Sequence, residues 1–575
     1  MSARRIVRRA AAELPAIVGA DLHPVLRRVY AARGVTSADE LVLGLDRLLP
    51  ISSLGGVDAA VDLLVAMHDS AGRIVVVGDF DADGATSTAL VVRQLRRLGF
   101  CAPDYVVPDR FRYGYGLSPA IVRAAAERKP RLLITVDNGV ASHEGVAEAR
   151  RLGIEVLITD HHLPGPVLPE AAAIVNPNLP GERFGSKALA GVGVAFYVMA
   201  ALTRRLAERR GQTRLADANV ADLLDLVALG TVADVVPLDF NNRILVAQGM
   251  RRVRAGRCVP GIRALLGAAG RALEQAVSMD LGFPVAPRLN AAGRLEDMRL
   301  GIECLLTASD DEARLLAQQL SQLNADRRVL EAQMQVDALA QIDARLDALE
   351  GQLPAGLTLF DPGWHQGVIG LVAGRIKEQV HRPVVAFAPG EAGWLKGSAR
   401  SVPGVHIRDV LDSLATRHPG LLDRFGGHAM AAGMTLHESQ LSEFERAFAE
   451  EVAGQVDTDQ LTGDLHTDGE LGAAEFEPAT AHALREAGPW GAGFPEPMFD
   501  GRFAVVEAKT VADRHLKLRV RVPSGPIVDA IVFRHFDARA PLAVQAGDSV
   551  QLVYRMGLDE YRGARQVQLV TEWIG

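Results

Sequence analysis

The stretch IVVVGDFDADGATST, residues 74–88, carries an apolar run onto three carboxylates, Asp79, Asp81 and Asp83, spaced one residue apart. Acids that close repel one another, and at a buried strand end the repulsion must be met by raised pKa values or by a cation. Two later stretches repeat the arrangement. RLLITVDNGV, residues 131–140, runs into Asp137, and IEVLITDHH, residues 154–162, runs into Asp160, His161 and His162. A fourth acid, Asp234, stands in LLDLVALGTVADVVPL, residues 223–238, where a helical apolar pattern gives way to Gly230 and a short turn. Any one of these aspartates alone reads as an N-cap or Asx-turn residue. Together they read as a site for divalent cations with carboxylate and imidazole ligands.

The elements that must position these groups follow from the apolar runs. Short β-branched stretches that are apolar throughout are strands covered on both faces of a parallel sheet, and ligands of such sheets gather at the carboxyl ends of the strands. In an extended conformation Asp79, Asp81 and Asp83 would point to one side, with Gly84 turning the chain into a helix begun by Thr86, Ser87 and Thr88. Residues 51–256 alternate strands with helices, the pattern of a doubly wound sheet. From Asp310 to Leu349 apolar residues recur at helical spacing without glycine or proline, a helix of up to about 60 Å. The alternating runs HLKLRVRV (515–522), VDAIVF (528–533), SVQLVYRM (549–556) and RQVQLVTEWI (565–574) read as a small antiparallel β-barrel of OB-fold size, a platform suited to single strands.

The 575 residues call for three or four domains, and 48% hydrophobic with 23% charged residues is a globular composition. A net charge of −8 argues against a surface coated in positive charge, so nucleic acid would be met by a local basic groove. Cys101, Cys258 and Cys304 are scattered, which excludes a cysteine zinc site and suits a reducing compartment. No run approaches about 18 uninterrupted apolar residues, so no membrane span is expected and the protein reads as cytoplasmic. The N-terminal Arg4, Arg5, Arg8 and Arg9 form a basic arm, read either as a nucleic-acid contact or as a solvated charged arm. Neither a GxSxG elbow nor a GxxxxGK[ST] loop is present, leaving acyl transfer and ATP-driven chemistry unsupported.

The ordered set GDFDADG, TVDNG, DHH and GTVADVVPL resembles the four motifs of the DHH phosphoesterase superfamily, in the spelling of its RecJ branch, the single-strand-specific exonucleases. The resemblance continues through PRLNAAGR (287–294), HQGVIGLVAGRI (365–376), KGSARS (396–401) and FGGHAMAAG (425–433). It implies an α/β fold: an N-terminal arm (1–50), a parallel-sheet DHH catalytic domain (51–306), a connecting helix (307–350), an α/β DHHA1 domain (351–456) and a C-terminal β-barrel, an OB-fold (461–575). It implies a 5′→3′ exonuclease on single-stranded DNA that releases 5′-mononucleotides in recombination and repair. Two divalent ions are expected. Asp81 and Asp137 would hold one, and Asp83, Asp137, His161 and Asp234 the other, with Asp79 and Asp160 beside them and His162 on the scissile phosphate. The imidazole ligand favours Mn²⁺, with Mg²⁺ the alternative.

Substrate contacts divide over several stretches. In PDRFRYGYGLSP, residues 108–119, Arg110 and Arg112 interleave with Phe111, Tyr113 and Tyr115, a composition suited to an entering single strand or, alternatively, to a loop packed on its own aromatics. After Asp234 the chain passes through an Arg-rich stretch, Arg251, Arg252, Arg254 and Arg257, to which the sequence assigns no role, before PRLNAAGR. The resemblance implies that Arg288, Asn290 and Arg294 approach the substrate or brace the metal ligands, with helix packing the alternative for Asn290. Gly426, Gly427 and His428 combine a close backbone with an imidazole donor for a phosphate. Ser398 and Arg400 are assigned to a terminal phosphate on resemblance, with Lys396 and Arg375 as further candidates. In the barrel, Lys517, Arg519, Arg521, Arg534, Tyr561 and Arg562 divide between nucleic-acid contacts and plain surface. The expected partners are single-stranded DNA, a helicase and a single-strand-binding protein, with the chain a monomer. Two other readings are a DHH phosphodiesterase on short oligoribonucleotides or cyclic dinucleotides, and a non-catalytic replication or repair scaffold. The barrel argues against the first and the full set of aspartates against the second.

Overall fold

The computed structural model describes residues 4–10, 22–108, 116–213, 215–348, 353–456, 463–537, 542–559 and 566–575. Two compact units emerge, one of residues 8–322 with 466–575, the other of residues 1–7 with 323–465.

The larger unit is built on a five-stranded, all-parallel sheet in the order Asp104–Val106, Ile74–Val77, Leu132–Val136, Glu155–Thr159, Ala173–Val175. The Ile74 and Leu132 strands are buried at every residue, as expected of strands covered on both faces. Strand–helix alternation ends at Val175, short of the expected residue 256, and the chain beyond is helical up to the smaller unit. No single helix among the described residues is long and apolar enough to cross a membrane.

Five strands of the same unit close into a ring: Phe499–Val511, His515–Arg521, Ile527–Val532, Gln566–Ile574 and Ser549–Asp559. The ring is not wholly antiparallel, because Ile527–Val532 pairs with Gln566–Ile574 in parallel. Its first strand, of 13 residues, is not among those expected from the sequence. Buried Asp500 and Gly501 interrupt the apolar alternation there.

Two of the N-terminal arginines are tied down within this unit. Arg8 pairs with Asp500 at 2.6 Å and Glu470 at 2.5 Å, and Arg9 with Asp468 at 3.4 Å. Arg33 meets the same Asp468 at 2.9 Å, with both side chains almost wholly buried.

The smaller unit holds a five-stranded mixed sheet in the order Arg424–Gly427, Ala431–His437, Trp394–Arg400, Val384–Pro389, Leu357–Phe360, in which only the last two strands are parallel. A continuous helix of 39 residues, Asp310–Ala348, carries the chain from one unit into the other.

Candidate metal centre

The carboxylates converge, though not through an extended strand. The first strand stops at Val77, and a helix starts at Ala82 with Asp81 as its N-cap, accepting from the Gly84 N–H at 2.9 Å. Asp79 therefore lies in the connecting turn and Asp83 in the first helical turn, together with Gly84. Thr86 and Thr88 lie inside the helix, their hydroxyls donating back to the Ala82 and Gly84 carbonyls at 2.9 and 2.8 Å. Buried Asp83 accepts from the Gly191 and Val192 N–H groups at 2.6 and 3.0 Å. Those groups open the Gly191–Arg209 helix, whose N-terminus favours a negative charge.

Asp137 follows the Leu132 strand with φ 61°, a strained setting for a residue with a Cβ. Its backbone N–H donates to the Thr159 carbonyl at 3.0 Å. Asp160 follows the Glu155 strand and organises the next turn. Its Oδ1 accepts from the His161 and His162 N–H groups at 2.7 and 3.1 Å and lies 2.7 Å from His162 Nδ1, while Oδ2 accepts from the Val140 N–H at 2.9 Å. Asn176 and Asn178 donate to the His162 and His161 carbonyls at 2.9 and 2.6 Å. Asp234 is the C-cap of the Leu224–Ala233 helix.

Gly230 does not end that helix, as expected, but lies within it. A Cβ there would sit 2.3 Å from Thr86 Oγ1 and 2.7 Å from Asp83 Oδ1. A Cβ at Gly191 would come 2.6 Å from that of Asp137. Both glycines let a helix approach the acids more closely than any side chain allows.

The result is a set of interlocking groups. Asp79, Asp81 and Asp137 bring ligand atoms within 4.8 Å of one another, as do Asp83, His161 and Asp234, and Asp137, His161 and His162. His161 Nε2 stands 3.1 Å from Asp137 Oδ1 and 3.5 Å from Asp234 Oδ2. Burial, then the Asp83 and Asp81 charges, drives the Asp137 carboxyl far above its ordinary value. Asp234 rises for the same reasons, and burial followed by Asp81 carries Asp83 up to about 7. Opposing burial, the hydrogen bond and charge of Asp160 lift the His162 imidazole to about 9, and His162 in turn helps hold Asp160 low. Buried acids that raise one another this way favour multivalent cations, and the mixed carboxylate and imidazole donors fit divalent ones.

The remaining candidates separate by place. Asn290 Oδ1 accepts from the Ala82 N–H at 2.8 Å and so braces the loop of Asp81 and Asp83. Arg288 donates to Ser321 Oγ at 3.0 Å and to the Pro284 carbonyl. Half-buried Arg294 lies in the last turn of the same helix, Ala286–Leu295. Arg110 and Tyr113 lie outside the described residues, with the rest of their loop, as do Tyr561 and Arg562 of the barrel. Within the smaller unit, Ser398 accepts from Arg400 at 3.1 Å. A Cβ at Gly370 would come 2.8 Å from both side chains, so the HQGVIGL helix packs directly on KGSARS. Gly427 has φ 147°, and the adjacent exposed His428 donates its N–H to the Ala431 carbonyl at 2.8 Å. Arg375 pairs with Glu331 at 3.2 Å. Lys396 donates to Thr435 Oγ1 at 3.2 Å. In the barrel Lys517 pairs with Asp529 at 2.9 Å.

Comparison with known proteins gives the family of the chain. Residues 73–231 match the DHH family, N-terminal domain, residues 354–454 the DHHA1 domain and residues 467–572 the RecJ OB domain. The chain is 50% identical to the single-stranded-DNA-specific exonuclease RecJ of Salmonella typhimurium, over 100% of both chains. The chain belongs to the RecJ family. The RecJ protein of Escherichia coli K12 is 51% identical over 98% of this chain and 97% of its own. The Mn²⁺ complex of RecJ from Thermus thermophilus superposes with a TM-score of 0.81 at 30% identity, covering 99% of this chain and 79% of that one. Its Mg²⁺ complex gives 0.74 at 28% identity, covering 99% and 78%. The expected fold of DHH, DHHA1 and OB domains is thus present, and the chain has the metal-dependent hydrolase fold of RecJ proteins.

The groups that brace this centre carry no signal in the sequence. Gly191, Val192, Asn176, Asn178 and Gly230 hold the acids or the histidine turn. LAGVGVAF reads only as an apolar core run, and no spacing rule marks backbone donors.

Proposed function

We propose that the protein hydrolyses single-stranded DNA from the 5′ end, releasing 5′-mononucleotides in recombination and repair. The observation that carries this reading is the ring of Asp79, Asp81, Asp83, Asp137, His161 and Asp234 at the sheet's carboxyl edge, in a chain that matches RecJ proteins from end to end. Two divalent ions, Mn²⁺ before Mg²⁺, fit it. Asp81 and Asp137 would hold one, and Asp83, Asp137, His161 and Asp234 the other. When bound, such ions lower the pKa of an attacking water and stabilise the leaving oxygen.

The chain's own groups do the rest. Asp160 orients His162 through Nδ1 and keeps the imidazole protonated, so that it donates to a non-bridging oxygen of the scissile phosphate. Asn290 and the N–H groups of Gly191 and Val192 fix the loop carrying Asp81 and Asp83, which spares those ligands reorganisation during turnover. In the smaller unit, Ser398, Arg400, Gly427 and His428 bind the 5′-terminal phosphate. Arg288, Asn290, Arg294 and Arg375 serve the strand directly or through these loops, and Arg110 and Tyr113 line its entry. The protein acts as a monomer in the cytoplasm, supplied with single strand by a helicase and a single-strand-binding protein.

The test is hydrolysis of 5′-labelled and 3′-labelled single-stranded oligonucleotides with Mn²⁺, beside Asp83→Ala and His161→Ala. Immediate release of the 5′ label as mononucleotide, lost in both variants, is expected. Initial release of the 3′ label alone would reverse the polarity.

A further inference from the structure

A second basic site lies in the larger unit, in a cleft of about 610 Å³ bounded by the Phe240–Arg254 helix, the segment around Pro478–Glu486 and Trp490, and the Ser549–Asp559 strand. None of the metal-centre residues lines it. At its wall stands Arg243, only 5% exposed, without a hydrogen-bond acceptor or ion-pair partner among the described residues. Its guanidinium carbon lies 4.3 Å from the centre of the Phe494 ring and 5.6 Å from that of Phe240. Ring faces offset part of the cost of burying the charge, but they satisfy none of its in-plane N–H donors. Glu40, the acid with most influence on Arg243, is bound instead by the Thr36 N–H and hydroxyl, both at 2.9 Å, and by the Ser37 N–H.

The rest of the lining leans the same way. Exposed Arg251 has no acceptor among the described residues. Arg254 and Arg485 donate to the Ala276 and Gln275 carbonyls, which leaves their charge at the cleft. Arg271 is matched by Asp280 at 3.2 Å, and Glu496 by Arg555 at 3.3 Å. Glu486 reaches Arg254 only at 3.4 Å. The excess is cationic, and its donors are guanidinium groups, which suit phosphate oxygens. Tyr30, Trp490 and Phe494 are at least 94% buried, so their faces are not offered to bases.

We propose that this cleft binds the phosphate of a nucleotide outside the metal centre, with Arg243 and Arg251 holding its oxygens without regard to base. The inference rests on the nuclease reading above. Two sources share this chemistry: the backbone of the strand being degraded, and the mononucleotide released from it.

The test uses the full chain, Arg251→Glu and the milder Arg243→Lys, with fluorescence anisotropy on a labelled single strand of about 16 nucleotides across a salt series, calorimetry with dTMP, and Mn²⁺-dependent hydrolysis of a trinucleotide. Arg251→Glu is expected to weaken strand binding about tenfold and to lower the salt slope by about 0.7 for each phosphate no longer held, while trinucleotide hydrolysis and the melting temperature stay as in wild type. If dTMP binds wild type and not Arg251→Glu, the site takes released nucleotide; if dTMP binds neither and strand affinity falls, it takes the backbone. Unchanged affinity for both ligands in both variants overturns the proposal. Failure of the wild type to cleave either the trinucleotide or the longer strand overturns the nuclease reading instead.

Discussion

His162 Nδ1 lies 2.7 Å from Asp160 Oδ1, and the same carboxylate receives the backbone N–H groups of His161, His162 and Val140. One buried acid thus fixes both the ring of His162 and the turn that presents His161. Asp160→Asn keeps the shape and removes the charge. It is expected to lower kcat about 10- to 100-fold, the usual cost of losing a partner that orients a ligand or catalytic imidazole. Steady-state kinetics on a short single strand, beside Mn²⁺ titration, would show a fall in kcat larger than the change in metal affinity.

The acids make the metal-free protein sensitive to pH. A carboxyl raised to about 7, as at Asp83, binds its proton more tightly in the fold than in the unfolded chain. Its contribution to stability is therefore complete below the unfolded value near 4 and is lost as pH rises through about 7. With a chelator present, the melting temperature should fall between about pH 5 and 8. Mn²⁺ should reverse that trend, adding about 2.7 kcal/mol at a hundredfold excess over its Kd. A chelated protein as stable at the upper pH as at the lower one would contradict the cluster.

Gly230→Ala places a methyl group against Thr86 and Asp83. Overpacking of this kind costs about 1–3 kcal/mol, and here it also displaces the Asp83 carboxylate proposed to hold an ion, so Mn²⁺ affinity should fall with stability. Gly267 provides the comparison. It lies in the Pro260–Ala268 helix with nothing within 4 Å of a Cβ, so Gly267→Ala should stabilise by about 0.5–1 kcal/mol. Urea denaturation of the two variants would show opposite signs.

Arg33 and Asp468 form an ion pair in which both side chains are at most 1% exposed. Arg33→Ala would leave Asp468 buried against the more distant Arg9, and breaking such a pair costs about 3–5 kcal/mol. Thermal denaturation should show this loss, whereas Arg204→Ala, which removes a surface pair with Glu208, should cost under about 1 kcal/mol.

Much of the architecture was legible because its elements carry unmixed signals. The apolar runs before Asp79, Asp137 and Asp160 are strands, and the helical period from Asp310 is an unbroken helix. The acids themselves were legible as types and order. Their meeting at one sheet edge was legible too, but the means of it was not, because it comes from an N-cap at Asp81, a left-handed residue at Asp137 and helices brought close by Gly191 and Gly230. Those features are choices of backbone conformation, and residue spacing along the chain does not encode them. The first barrel strand escaped for a related reason: Asp500 is buried because Arg8 and Thr467 satisfy it, and Arg8 comes from the opposite end of the chain.

The Leu238 N–H donates to the Ala492 carbonyl at 2.7 Å. Leu238 lies four residues beyond Asp234, and Ala492 belongs to the chain that leads into the barrel. The same C-terminal stretch supplies Phe494 to Arg243 and Asp468 to Arg33. The barrel is consequently no detachable module. A truncation ahead of His466 would take away the partners of Leu238 and Ser278 and strand two arginines, so a truncated protein that no longer cleaves DNA would report a damaged helical layer next to Asp234 as much as a missing platform. Substitutions on the barrel's outer face are the cleaner way to separate the two, and domain exchange between relatives would have to carry residues 22–35 along with the barrel.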